Sequence, residues 1–238
     1  MINGINSREM ILEILLEIEE GEHSHVAIRN ALSKYQFLPK QDRAFITRVC
    51  EGTLEYRIQI DYIINSFSKV TVDKMKPAIR EILRSAVYQL KYMDSVPDSA
   101  VCNEAVKLAQ RKGFYNLKPF VNGVLRTIAR EMDQVRFPQK EDDLLKYLSV
   151  KYSMPEVLVT RWLEAYGEET TEKILADFLT EHPLTIRCRT YLNSKEEVIK
   201  SLESQGVHVA PAPYLSYAYS ISEFNHILAL DAFVKGKI

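Results

Sequence analysis

Near Leu184 the spacing of apolar residues changes from a helical repeat to a two-residue alternation, and this change bounds the folds open to the chain. Before it, apolar positions recur every three or four residues. Ile11, Ile14, Leu15 and Ile18 fall on one helical face after a capping Ser7, and Gly21 ends the run. Ser24 is expected to cap a second helix with Val26, Ile28 and Leu32 inward. Asp42 is expected to open a longer third through Phe45, Ile46, Val49, Leu54 and Ile58, with a bend at Gly52. Ile60, Ile63, Ile64 and Phe67 carry the pattern on to Ser68. Pro77 stands where a first-turn proline belongs, ahead of Ile79, Ile82, Leu83, Ala86, Val87 and Leu90. Pro97 starts another helix closed by Gly113, and a last one runs from Leu117 to Met132. Short connections between amphipathic helices of this length predict an all-α bundle over residues 1–138.

The polar, proline-punctuated stretch Phe137–Asp143 reads as a boundary, and residues 139–183 read as linker helices. These run from Asp142 to Lys151, Pro155 to Tyr166 and Glu168 to Glu181, with Gly167 separating the last two. Leu184–Tyr191 then alternates as a strand. Ser194-Lys-Glu-Glu197 is a capping box whose helix Gly206 closes. Val207–Val209 and Tyr217–Tyr219 read as strands around the Pro211/Pro213 loop. The resulting β-α-β-β order predicts a small α+β module over 184–238, part of a ferredoxin-like unit. The stretch Asp231–Ile238 reads as strand-forming, and its last strand is expected to lack a partner. The fold class is multidomain, α followed by α+β.

The net charge of −1 conceals an uneven distribution. The first 24 residues carry a net −5, residues 25–138 a net +8, and residues 139–238 a net −4. A basic middle is compatible with a polyanionic partner on one face. Within it, Lys107, Arg111 and Lys112 cluster at one helix end, and Lys118, Arg126 and Arg130 lie along the next. Residues 107 and 111 share a helix face, as do 126 and 130. Such charges suit phosphate backbones, with Asn116 and Asn122 placed to add hydrogen bonds. Arg187 and Arg189 on the first strand form a second candidate surface.

No constellation for chemistry accompanies them. Cys50, Cys102 and Cys188 are odd in number and lack CxxC spacing, which favours free thiols in a reducing cytoplasm. Each falls within a helical or strand pattern and reads as a small buried side chain. His23 and His25 lack partners at metal-ligand spacing and read as a solvated turn. The acidic pairs Asp142-Asp143, Glu168-Glu169 and Glu196-Glu197 sit at helix starts, where the macrodipole favours them. Tyr56, Tyr62 and Phe67 read as core, and Trp162 as a packing anchor. The eight glycines are scattered singly, so no dinucleotide or adenosyl fingerprint is present. The first helix, Met10–Glu20, is too short and too charged to span a bilayer.

Two strings add a resemblance. Gln41-Asp-Arg-Ala-Phe-Ile-Thr-Arg-Val-Cys-Glu-Gly-Thr-Leu54 is one. The other runs Ile82-Leu-Arg-Ser-Ala-Val-Tyr-Gln-Leu90, Val96-Pro-Asp-Ser-Ala100, Asn103-Glu-Ala-Val106 and Phe120-Val-Asn-Gly-Val-Leu-Arg126. Together they resemble the NusB-type RNA-binding fold, found as a free antitermination factor and as the front domain of 16S rRNA cytosine-C5 methyltransferases of the Sun/Fmu/RsmB type. Tyr152-Ser-Met-Pro-Glu156, Trp162-Leu, Ala165-Tyr-Gly-Glu-Glu169 and His182-Pro-Leu-Thr-Ile-Arg187 are similar to the parts that follow in those methyltransferases. Arg189 and Leu192 stand where that family usually has asparagine and lysine.

The resemblance implies an S-adenosylmethionine-dependent enzyme in which one thiolate attacks C6 of cytosine and a second cysteine assists release. It implies 16S rRNA as partner, and a methyl-transfer domain beginning beyond the point matching Ile238. This chain alone is then expected to be inactive and to lack an S-adenosylmethionine pocket. Two rival readings are a non-enzymatic antitermination-type RNA-binding module and a protein–protein adaptor with an exposed apolar patch.

Overall fold

The computed structural model describes residues 6–35, 38–180, 182–224 and 227–238. The expected helix end at Glu181 lies outside the described residues. Two compact units divide at Phe178/Leu179.

The first unit is helical: α1 (Ser7–Glu19), α2 (Ser24–Lys34), α3 (Lys40–Glu55), α4 (Arg57–Phe67), α5 (Pro77–Tyr92), α6 (Asp98–Arg111), α7 (Lys118–Glu131), α8 (Leu144–Lys151) and α9 (Glu156–Asp177). Burial of periodic apolar faces organises it. Ile79, Ile82, Leu83, Ala86 and Val87 of α5 pack at its centre with Ile11, Leu12 and Leu15 of α1, Ile46 and Val49 of α3, and Leu125 and Ile128 of α7. Among the described residues no strand precedes residue 140, as the helical period requires.

Some local expectations differ. Asn6, not Ser7, caps α1, accepting a hydrogen bond from the Arg8 N–H at 2.9 Å. His23 takes the cap position of α2 without a side-chain bond, and Ser24 is its first helical residue. Helix α3 starts at Lys40 behind Pro39 and does not bend at Gly52. The break comes at Tyr56, between α3 and α4. Gly52 serves packing: a Cβ there would overlap the buried Tyr88 ring. Tyr56 and Tyr92, themselves 4.3 Å apart, cluster with that ring at 6.4 and 5.3 Å between centroids.

Residues 139–178 belong to this same unit. Phe137 stacks on Tyr62 at 5.7 Å. The Gln59 side-chain amide on α4 donates to the Val150 and Lys151 carbonyls of α8 at 3.2 and 3.1 Å, and Ile58 N–H donates to Ser153 Oγ at 3.0 Å. Leu148, Val159 and Leu175 form a small core between α8 and α9. Gly167 (φ 74°, ψ 174°) interrupts α9 where two helices were expected to separate. That conformation favours glycine. Trp162 is half-buried and stacks on Phe178 at 5.7 Å.

Glu172 ties this helix pair together electrostatically. It receives hydrogen bonds from Lys151 Nζ and the Tyr152 hydroxyl, both at 3.0 Å, and from Lys140 Nζ at 3.3 Å. The Lys151 bond is the main cause of its pKa falling from 4.5 to about 2. A carboxylate with a depressed folded pKa stabilises the fold above its unfolded pKa, and that contribution is lost as pH falls. Stability of the first unit should therefore decline between pH 4.5 and about 2, and Glu172→Gln should flatten that decline. Trp162 is the only tryptophan, so its fluorescence reports this unit alone. Identical acid transitions for parent and variant would remove Glu172 from the account.

The second unit comprises β1 (Leu184–Arg187), α10 (Lys195–Glu203), β2 (His208–Pro211), β3 (Ala218–Ser222) and α11 (Asp231–Val234). Its antiparallel sheet has the order β1-β3-β2, with Ile186 opposite Tyr219 and Val209 opposite Ile221. One face packs on Val198 and Leu202 of α10. Ser194 caps α10, accepting from Glu197 N–H at 3.2 Å.

The strand expected over 231–238 is instead α11. Asp231 opens it and pairs with Lys235 at 2.8 Å, and Gly236 (φ 64°) ends it, with Lys237 N–H returning to the Ala232 carbonyl at 2.8 Å. This glycine stop and the i,i+4 pair override the strand propensity of Phe233-Val234. Strand β1 is shorter than expected because the chain turns after Cys188, Leu192 N–H bonding the Arg189 carbonyl at 3.0 Å.

Candidate nucleic-acid interface

Helices α6 and α7 bury Val101, Cys102, Ala105 and Leu108 against Val121, Val124, Leu125 and Ile128, which leaves their cations outside. Gly113 (φ 86°) ends α6 in the left-handed region, and Phe114 N–H reaches back to the Ala109 carbonyl at 2.9 Å. This stop places Arg111 and Lys112 at the helix end, where the macrodipole favours positive charge.

Most of the expected phosphate-binding cations are engaged by carboxylates. Lys107 pairs with Glu104 at 2.7 Å and Arg130 with Glu131 at 2.6 Å. Lys112 lies 3.0 Å from Glu13 and 3.8 Å from Glu9, and Arg111 lies 3.7 Å from Glu9. Glu9 and Glu13 belong to the acidic first segment, so two stretches of opposite charge meet across the bundle. Sequence reasoning missed both glutamates because their partners lie about a hundred residues away; opposite net charge in the two segments was the available signal.

Lys118 and Arg126 form no ion pair among the described residues. Arg126 is exposed and donates from Nε to Asn122 Oδ1 at 2.9 Å. Beside it, the position a Gly123 Cβ would take meets no atom within 4 Å, so packing inside the unit does not demand glycine there.

In the second unit Arg187 and Arg189 are exposed. Neither has a carboxylate at ion-pair distance among the described residues. The Arg189 guanidinium passes close to Gly236.

The thiols are placed for packing. Cys50, Cys102 and Cys188 are all buried and free, and burial pushes each pKa up, away from the thiolate a nucleophile needs. His23 and His25 are exposed with rings stacked at 5.9 Å. Strands β1 and β2 run parallel to one another on either side of β3 and α10 joins them, but the 188–194 turn of this crossover contains no glycine, and the positive-φ glycines stand singly. Among the described residues no helix is long and apolar enough to cross a membrane.

An all-α bundle carrying surface cations, followed by a small antiparallel α+β unit, defines a two-part class of protein. Residues 5–130 match the NusB family, and residues 154–227 match the ferredoxin-like domain described as Methyltr_RsmF/B-like. The chain belongs to the NusB family, here followed by an RsmF/B-type ferredoxin-like domain. A probable ribosomal RNA small subunit methyltransferase B from Bacillus subtilis is 32% identical over 202 residues, 85% of this chain and 44% of that protein. The transcription antitermination protein NusB of Dictyoglomus thermophilum is 33% identical over 130 residues, 54% of this chain and 85% of that protein. The crystal structure of PH0851 superimposes with a TM-score of 0.68 at 23% identity, over 98% of this chain and 52% of that one, and shows the shared fold. The chain spans somewhat under half the length of the methyltransferase relatives it matches.

Proposed function

We propose that this chain is the RNA-recognition part of a cytoplasmic, S-adenosylmethionine-dependent rRNA (cytosine-C5) methyltransferase acting on 16S rRNA. The observation that carries this reading is the succession of a NusB domain and an RsmF/B-type ferredoxin-like domain in one chain, since the NusB relatives are matched over the first part only. The methyl donor and the nucleophilic thiolate are assigned to residues outside these 238, because all three thiols here are buried. The chain's own task is to bind and orient RNA, with Lys118 and Arg126 as the phosphate contacts of the bundle, and Lys107, Arg111, Lys112 and Arg130 as a paired reserve around them.

A protein-binding role has a specific observation in its favour. Val157, Tyr166 and Phe178 along α9 are 60%, 56% and 57% exposed. They suit contact with another part of the same enzyme as readily as an independent adaptor role.

The test is binding of labelled 16S rRNA fragments across a salt series. Each phosphate neutralised on a single strand contributes about −0.7 to the log–log slope. Lys118→Ala with Arg126→Ala should weaken binding and reduce the slope magnitude by roughly 1.4. Binding with no salt dependence, or none at all, would sink the reading.

A further inference from the structure

Tyr191 and Tyr214 are the most exposed large aromatic side chains among the described residues, at 77% and 93%. Neither joins the core of the second unit, and neither hydroxyl has a hydrogen-bond partner among the described residues. Packing therefore does not account for them.

The sheet topology brings them to one end. Arg187 pairs with Ala218, and Pro211 pairs with Tyr219, so the end of β1, the end of β2 and the start of β3 lie together. Cys188 N–H donates to the Tyr217 carbonyl at 2.9 Å, and Ala212 N–H to the Ala218 carbonyl at 3.0 Å, so the 188–194 and 212–217 loops leave the sheet side by side. Tyr191 rides on the first loop and Tyr214 on the second.

The charge at this end is mixed and net positive. Arg187, Arg189 and Lys195 stand against Glu196 and Glu197 of the first turn of α10, and Lys237 is held here by the bond from Arg189 N–H to its carbonyl at 2.9 Å. Unlike most cations of α6 and α7, the two arginines are not neutralised within the fold. Arginine forks onto phosphate and its plane stacks on bases. By contrast, the ring that the sheet face turned away from α10 carries is His208, at the start of β2 and so at the other end of the sheet from Tyr191 and Tyr214.

We propose that this sheet end, with Tyr191, Tyr214, Arg187 and Arg189, is a stacking site for unpaired bases of single-stranded RNA. The proposal rests on the RNA-binding reading above and deepens it. Unstacked bases of single strands present faces to aromatic side chains, whereas a duplex keeps its bases inside. The exposed Leu192 and Leu215 beside the tyrosines would line the same platform.

The experiment uses the whole 238-residue chain with a labelled single-stranded RNA of about 12 nucleotides and a duplex of equal length. Tyr191→Ala with Tyr214→Ala should weaken single-strand binding at least about tenfold and leave duplex binding unchanged. Tyr191→Phe with Tyr214→Phe should bind as the parent does, since the ring and not the hydroxyl does the stacking. A 2-aminopurine base in the single strand should lose fluorescence on binding the parent, and not on binding the alanine variant. Circular dichroism checks that the fold is retained. If the alanine variant binds single strands as tightly as the parent, or the phenylalanine variant as weakly as the alanine one, stacking is overturned while RNA binding stands. If the parent binds neither RNA, both readings fail together. Loss of self-association in the alanine variant, with RNA affinity unchanged, would mark the rings as a protein contact and overturn the proposal.

Discussion

Arg84→Ala is expected to cost the first unit about 3–5 kcal/mol, because it strips the partner from buried charge. The Arg84 guanidinium grips Asp61 with two bonds, from Nε at 2.7 Å and Nη2 at 2.6 Å, and reaches Glu81 through Nη1 at 2.6 Å. Glu81 is only 3% exposed. Burial pushes its pKa up, and Arg84 is the main force opposing that rise. Without the arginine, two carboxylates face one another in the bundle. Urea unfolding followed by Trp162 fluorescence measures the loss.

The variant should also respond to pH in a set direction. A carboxyl whose folded pKa is raised holds its proton longer in the fold than in the unfolded chain. Its stabilising effect is present below the unfolded pKa and fades as pH rises through the folded one. Arg84→Ala should thus recover stability on acidification from neutral pH, and adding Glu81→Gln should restore part of the loss at neutral pH. A cost below about 1 kcal/mol, typical of exposed pairs, would mean that the triad behaves as a surface ion pair.

Gly52→Ala should also destabilise, which is opposite to what helix propensity alone dictates. In mid-helix alanine is favoured over glycine by about 1 kcal/mol. Here the added methyl would land on the Tyr88 ring, which is 6% exposed and packs against Tyr56 and Tyr92. Forcing a methyl into such a site typically costs 1–3 kcal/mol, and a buried ring packed against two neighbouring tyrosines has little room to yield. A net loss of roughly 1–2 kcal/mol is expected, read as a lower melting temperature. Tyr88→Leu in the same chain should recover much of it by making space. A Gly52→Ala protein as stable as the parent would show that α3 and α5 can shift apart at no cost.

Much of this fold was legible because periodicity is local. The helices from Ile11 to Ile128 follow from spacing alone, and the break at Gly167 follows from a residue that tolerates φ 74°. The β-α-β-β order came from the change of period at Leu184 and from the Ser194 capping box. What escaped was long-range or competitive. Neutralisation of Lys112 by Glu9 and Glu13 depends on α1 meeting α6, which no window of sequence contains. Asp231–Val234 pitted strand-forming side chains against a glycine stop and an i,i+4 ion pair, and the stop prevailed. Charge in the sequence points to the candidate phosphate contacts; the structure ranks them by whether a carboxylate already holds them. Tyr191 and Tyr214 were visible as residues, but the adjacency of their loops is a product of strand register.

The Gln59 clamp carries a consequence for tolerance to mutation. Its amide is read by the main-chain carbonyls of residues 150 and 151, and its own oxygen takes the Tyr92 hydroxyl. Peptide carbonyls exist whatever side chain follows them, so this joint is blind to the identities of Val150 and Lys151. Substitutions there will be felt through packing and charge, never through loss of the acceptor. All the chemical specificity of the joint is concentrated in one glutamine of α4, and a change at that single position has no partner on α8 able to compensate for it.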